Sequence, residues 1–281
     1  MEDFAGVSLD KVLEEHRDGI DVTTFLKLAA KITECVTLLH QHHIIHQSLC
    51  PHHILWNKAT DDVRLIDLGL SSELTQGFQI SLHQKHVGKL LSYISPEQTG
   101  RINCPVDYRS DLYALGVTFY QLLTGVLPFS QSNQDTTVEL DSMDIIYDII
   151  AKAVVPTNVR KKNIPKPIND MIMKLLSKPS EERYQSTFGL RHDLRMMLSQ
   201  PNNIENFKIA TQDVKSTFRV SQKLYGRSDQ VDSILRTFEL ISHQKISCGL
   251  VLVSGYSGVG KTSLVNEVYG PLARCRGYFI S

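Results

Sequence analysis

An excess of charge of one sign is the first thing this sequence lacks. Lys plus Arg number 30, Asp plus Glu number 30, and the formal net charge is zero. That balance supplies no broad field to attract nucleic acid or an anionic membrane, so neither is an expected partner. Cysteine is sparse and odd in number: five residues, at 35, 50, 104, 248 and 275, with no C-x-x-C pair. The pattern argues against a disulfide framework and a thiolate zinc site, and it fits a reducing, cytoplasmic setting. Long apolar runs are missing too. None approaches the roughly 18–20 residues of a membrane-spanning helix, so no membrane insertion is expected. The acidic start, Met1-Glu2-Asp3-Phe4, lacks the apolar core of a signal peptide. Internal repeats and low-complexity tracts are also absent.

What is present reads as an ordinary globular chain, 42% hydrophobic and 21% charged over 281 residues, with room for two domains. Phe25, Leu28, Ala29, Ile32, Cys35, Val36 and Leu39 recur at helical spacing and predict a helix over 24–41. Two short strands, near 54–56 and 63–66, flank a polar turn at 57–62 and read as a hairpin. Residues 71–92 read as an irregular surface loop. A segment over 110–123 is apolar all round, which marks a buried helix, with Gly125 placed to end it and Pro128 beyond. Further helices are predicted over 141–153, 168–177 and 186–198. The polar stretch 200–222 reads as a linker. After it, Val231, Ile234, Leu235, Phe238 and Ile241 line one helix face, and a strand over 249–254 runs into a glycine-rich loop.

Two segments carry chemistry. The first is His46-Gln47-Ser48-Leu49-Cys50-Pro51-His52-His53, followed by Asp67-Leu68-Gly69. It has the frame of a protein-kinase catalytic loop, H-R-D-L-K-P-x-N, then D-F-G. Ser95-Pro96-Glu97 is similar to the A-P-E segment. Asp107 to Gly116 resembles the buried helix whose Asp, here Asp111, anchors the catalytic loop, and Arg183 stands where the family pairs an Arg with that Glu, here Glu97. The resemblance to a eukaryotic-type kinase C-lobe covers roughly 1–198, with residues 1–6 similar to the hinge between lobes. No G-x-G-x-x-G loop or V-A-I-K strand precedes them. The expected fold is therefore a mostly α kinase C-lobe with its N-lobe absent.

In that family, phosphoryl transfer needs a base Asp, a Lys on the phosphate, and Asp plus Asn on magnesium. Those roles fall on Ser48, which has no basicity near neutral pH, on Cys50, which brings no positive charge, and on His53, a ligand better suited to zinc than to magnesium. Gln47 replaces the Arg that reads activation-loop phosphorylation, and Lys89-Leu90 replaces a Gly-Thr pair. Asp67 alone remains as a Mg ligand. His46, Glu97, Asp111 and Arg183, which hold the lobe together, are all retained. The reading is a pseudokinase, with two alternatives open: an active serine/threonine kinase whose N-lobe is missing from the chain, and an interaction module without a ligand. The histidines at 40, 42, 43, 46, 52 and 53 read as one loop histidine and a solvated turn, not as zinc ligands, since a closed zinc site needs four convergent ligands.

The second segment, Gly255-Tyr256-Ser257-Gly258-Val259-Gly260-Lys261-Thr262, matches G-x-x-x-x-G-K-[ST]. Gly255, Ser257, Gly258 and Gly260 would turn backbone N–H groups around the phosphates of ATP. Lys261 would reach the β- and γ-phosphates, and the Thr262 hydroxyl would bind Mg. Tyr225-Gly226-Arg227 resembles the start of AAA-type signalling ATPases. No Walker-B strand follows, so the expectation is the truncated start of an α/β ATPase in a fragment or a truncated gene model. The expected division is 1–199 kinase-like lobe, 200–222 linker and 223–281 ATPase segment. That order resembles the multidomain signalling kinases of cyanobacteria and fungi, in which such a pair precedes sensor modules and a histidine kinase. The resemblance implies ATP and other signalling proteins or domains as partners. It does not extend to histidine-kinase activity.

Overall fold

The structure is a computed structural model that describes residues 4–70, 72–73, 90–102, 104–129, 142–213, 226–242, 248–256 and 258–266. Five short strands are present among them, β1 (Val7–Ser8), β2 (Ile44–Ile45), β3 (Ile54–Asn57), β4 (Asp62–Leu65) and β5 (Ser72–Glu73). The helices are α1 (Leu9–Glu15), α2 (Val22–Gln41), α3 (Tyr108–Thr124), α4 (Ser142–Ala151), α5 (Thr157–Arg160), α6 (Lys166–Leu175), α7 (Thr187–Ser199), α8 (Ser228–Ser242) and α9 (Lys261–Asn266).

Helix α2 begins because the Asp21 carboxylate accepts the backbone N–H groups of Thr23 and Thr24, both at 3.0 Å. Its predicted apolar stripe is buried, with Phe25, Leu28, Ala29, Ile32 and Val36 facing α3 and α7. Phe25 meets Phe119 of α3 edge to face, with ring centroids 5.5 Å apart. Helix α3 is buried around its whole circumference, as its composition predicts, and ends at Gly125 in the left-handed region. Each large apolar side chain buried here contributes about 1.5–3 kcal/mol. A second, smaller cluster joins Leu91 and Ile94 to Ile146 and Ile149 of α4.

Three sequence expectations need correction. The hairpin is part of a three-stranded antiparallel sheet of order β1-β3-β4, in which Val7 and Ser8 pair with Trp56 and Leu55. The two residues of β1 are too short to show any periodicity. This sheet, together with the surrounding helices, is more than the lone hairpin expected of a mostly α lobe. The strand expected at 249–254 does not form: residues 248–256 have no ladder partner among the described residues, and Leu250 and Leu252 are 95% and 89% exposed. An apolar run becomes a strand only when a neighbour takes its backbone hydrogen bonds. Finally, the first part of the expected linker is packed. Ile204 is buried in the main core, and Phe207, Ile209 and Ala210 pack against it. The 71–92 loop and residues 278–280 lie largely outside the described residues, as do Lys89, Tyr225 and Ser257.

Candidate functional site

The catalytic-loop frame is positioned from α3. Asp111, fully buried in the first turn of that helix, accepts the backbone N–H of His46 through Oδ2 and that of Gln47 through Oδ1, both at 2.9 Å. The ring Nε2 of His40 on α2 meets the same Oδ2 at 2.8 Å. Gln47 sits at φ +64°, a conformation that costs a non-glycine residue about 1 kcal/mol or more, and the two hydrogen bonds to Asp111 hold it there. From the other side, the Gln98 amide donates to the Gln47 carbonyl at 2.9 Å, while its Oε1 accepts the Ser95 N–H in a capping box. Gln98 was not singled out from the sequence, where the Ser95-to-Gln98 spacing is the available signal; His40 and His53, expected on a solvated turn, are instead largely buried, His40 on α2 against Asp111.

Glu97 and Arg183 form a buried bidentate pair, at 2.6 and 2.8 Å. Ser110 donates a third hydrogen bond to Glu97, at 2.7 Å. The remaining Arg183 donors go to the carbonyls of Ser177, Lys178 and Arg109, so all five guanidinium N–H groups are used. Burial opposes ionisation of Glu97, yet the Arg183 charge beside it holds the carboxyl below its ordinary value. His46, Glu97, Asp111 and Arg183 thus meet as one scaffold around the loop.

The positions of the catalytic groups converge as well, but on each other. Ser48 Oγ lies 3.1 Å from His46 Nδ1 and 3.3 Å from the Asp67 carbonyl. The arrangement that leaves least unpaired runs His46 Nδ1–H to Ser48 Oγ, and Ser48 O–H to the carbonyl. It leaves only the Nε2 lone pair of His46 without a partner. Burial holds the His46 imidazole below its ordinary pKa, which favours this neutral ring. The Cys50 thiol is buried, and burial pushes its pKa up, so it is no thiolate. His53 places Nδ1 2.7 Å from the Ser48 carbonyl and Nε2 3.1 Å from Asp67 Oδ2. Both of its ring nitrogens thus face protein oxygens, to one of which a neutral imidazole can donate. Asp67, at φ +61°, keeps its carboxylate more than half exposed. Among the described residues no group of three His, Cys, Asp or Glu side chains is arranged to hold a metal ion.

The glycine-rich loop is built locally. Gly258 and Gly260 take φ of +79° and +91°, values that other residues rarely adopt, and the Leu264 N–H then closes the first turn of α9 on the Gly260 carbonyl at 3.0 Å. Lys261 Nζ donates to the carbonyls of Gly255 and Tyr256, both at 2.8 Å, so its ammonium bridges the loop's own backbone. Thr262 is exposed at the start of the helix. Such a loop, with its cation folded across it, fits an incoming phosphate that would take over the Lys261 hydrogen bonds.

Comparison with known proteins places both segments. A family model described as Protein kinase domain matches residues 1–194, and one described as AAA ATPase domain matches residues 223–281. The chain belongs to the protein kinase domain family, with the AAA ATPase match following. Over 198 residues it is 39% identical to Hybrid signal transduction histidine kinase G of Dictyostelium discoideum, a match covering 62% of this chain and 6% of that protein. Over 267 residues it is 25% identical to Histidine protein kinase 1 of Candida albicans, covering 85% of this chain and 10% of the other. A "Probable serine/threonine-protein kinase" of Clostridium acetobutylicum is 32% identical over 196 residues, covering 69% of this chain and 27% of its own length. The chain therefore spans about a quarter or less of these relatives.

These findings make the chain kinase-like and similar to signal-transduction and serine/threonine kinases, and both matched families use nucleotide and a divalent metal. They also overturn one expectation. The protein kinase domain spans residues 1–194, so an N-lobe belongs to this stretch, and the description of a C-lobe with its N-lobe absent does not stand. The small antiparallel sheet with its helices fits the kinase fold. The expectation rested on what precedes Phe4, and the point at which a sequence begins carries no information about the extent of a domain. Among the described residues, no helix is long and apolar enough to cross a membrane.

Proposed function

We propose that the chain works in cytoplasmic signalling as a catalytically inactive kinase scaffold joined to an ATP·Mg-binding P-loop segment, with other signalling proteins or domains as its partners. The proposed organisation is a kinase-like unit over 1–199, a junction over 200–222 and an ATPase segment over 223–281. One observation carries the inactive reading: His53, at the position of the metal-binding Asn, is buried with its two ring nitrogens turned to the Ser48 carbonyl and the Asp67 carboxylate. The groups that should hold substrate and metal are bonded to each other instead. With Ser48 for the base and Cys50 for the phosphate Lys, positioning and charge neutralisation are lost together, and phosphoryl transfer relies on little else. At the P-loop, Gly255, Ser257, Gly258, Gly260 and Lys261 would hold the phosphates and Thr262 the Mg.

The test is ATP and Mg binding, with phosphate transfer to protein, for the full chain and for Lys261→Ala and Asp67→Asn. Binding lost in Lys261→Ala alone supports the proposal. The serine/threonine kinase names among the relatives keep the active-kinase reading in play. Phosphate transfer that disappears in Asp67→Asn would establish that reading and sink this one. No nucleotide binding to any form would leave an interaction module.

A further inference from the structure

Residues 201–213 lie against the kinase body through features that a tether does not need. Ile204 is buried in the main core. The Asp193 carboxylate, fully buried on α7, accepts the Ala210 N–H at 2.6 Å and the Tyr184 hydroxyl at 2.5 Å through the same oxygen. Ala210 stands at φ +60°, a left-handed conformation unusual for alanine, which this hydrogen bond helps to hold. At the end of the segment, both carboxylate oxygens of Asp213 lie 2.9 Å from the Gln185 N–H, just ahead of α7. Gly189 on α7 makes room for it: a Cβ there would lie 2.7 Å from Asp213 Oδ1 and 2.8 Å from its Cα.

We propose that 201–213 is a releasable latch between the kinase domain and the ATPase segment, closed by Asp193 and Asp213 on backbone N–H groups. The energetics favour release as a unit. The segment contributes Ile204 to the core and packs Phe207, Ile209 and Ala210 against it, and its polar attachments include a buried carboxylate oxygen, Asp193 Oδ1, with no partner among the described residues. An incompletely satisfied polar network marks a part of a fold that opens early. Opening changes what the junction can do. With the latch closed, 13 peptide units separate Asp213 from Gly226, a reach of at most roughly 45 Å. With it open, 26 units separate Gln200 from Gly226, and the maximum reach doubles to roughly 90 Å. For a flexible connection, doubling the maximum length lowers the effective concentration of one domain about the other by about threefold. The latch is thus a device for adjusting how strongly the two domains meet, and it does not depend on whether Lys261 holds nucleotide.

Hydrogen exchange on the full chain tests this, with Asp213→Ala and Gly189→Ala as the opening variants. Gly189→Ala leaves both carboxylates in place and improves the helix propensity of α7, so any release it causes comes from the lost close approach. Both variants should speed exchange across 201–213 by about 10- to 100-fold while amides of α3 keep their protection. Asp213→Asn, which keeps an acceptor, should show a smaller change. Unchanged exchange at 201–213 in both variants would overturn the proposal. So would loss of protection in α3 by the same factor, because the segment would then be an inseparable part of the core.

Discussion

The catalytic-loop region and the glycine-rich loop are both recognisable from a few residues, yet they are assembled in opposite ways. The kinase loop is held by partners far away in sequence: Asp111 lies 65 residues from His46, and Arg183 lies 86 residues from Glu97. The P-loop is held by neighbours, with Lys261 reaching carbonyls five and six residues back. A site built from long-range contacts depends on the whole domain for its shape. A site built from glycine dihedrals and one lysine needs little scaffold. The scaffold of the first region, His46, Glu97, Asp111 and Arg183, is made of residues other than Ser48, Cys50 and His53, so the proposed loss of catalysis leaves that scaffold intact.

Breaking each site should therefore have unlike consequences. The largest effect is expected for Arg183→Ala, which strands the buried Glu97 carboxylate and should cost about 3–5 kcal/mol. Urea denaturation followed by circular dichroism would read it, and a loss below about 1 kcal/mol would show the pair to be dispensable. Next is Lys261→Ala, expected to weaken ATP·Mg binding by about 10- to 100-fold through one lost charge-assisted hydrogen-bonding group. The urea midpoint should not move. A shifted midpoint would mean that the two regions share stability, and the contrast would fail. Gln98→Ala should cost about 1–3 kcal/mol, since it removes the amide donor to the buried Gln47 carbonyl and the acceptor for the Ser95 N–H. That loss would sharpen the comparison by showing that the catalytic-loop segment is held in a defined shape.

Legibility followed the same division. Helices α2 and α3 were readable because periodicity and all-round apolarity are local signals, and the pairing of Glu97 with Arg183 came from their places in the kinase frame. What escaped was non-local. The two residues of β1 acquire meaning only opposite β3. Gln98 matters through a carbonyl 51 residues away. The polar run after Gln200 hides Ile204, Phe207 and Ile209, whose spacing matches neither a helix nor a strand face. Conversely, 249–254 has the composition of a strand and no neighbour among the described residues to make it one.

The smallest effect separates two regions by the sign of their response to acid. Arg183 holds Glu97 below the ordinary value of 4.5 despite burial, so this pair contributes stability at higher pH and loses it as pH falls through the lowered value. Asp193 and Asp213 are displaced the other way: burial raises both above 3.8, against the Tyr184 hydroxyl, the Ala210 N–H, His192 and Lys174 at Asp193, and against the Gln185 and Ser186 N–H groups and Lys174 at Asp213, where Asp193 adds to the rise. Tyr184 is itself pushed upward by burial and by Asp193. Where opening returns these carboxyls to water, they bind protons more readily in the closed latch than in the open one. Closure is therefore favoured at the ordinary carboxylate value and weakens as pH rises through the raised one. Protection factors for 201–213 should climb as pH is lowered from 7 towards 4.5, while those of α3 stay level; below that range, α3 should begin to lose protection. If the two sets fall together as pH drops, the latch carboxylates behave like Glu97, and the distinction between a rigid kinase body and a releasable junction is gone.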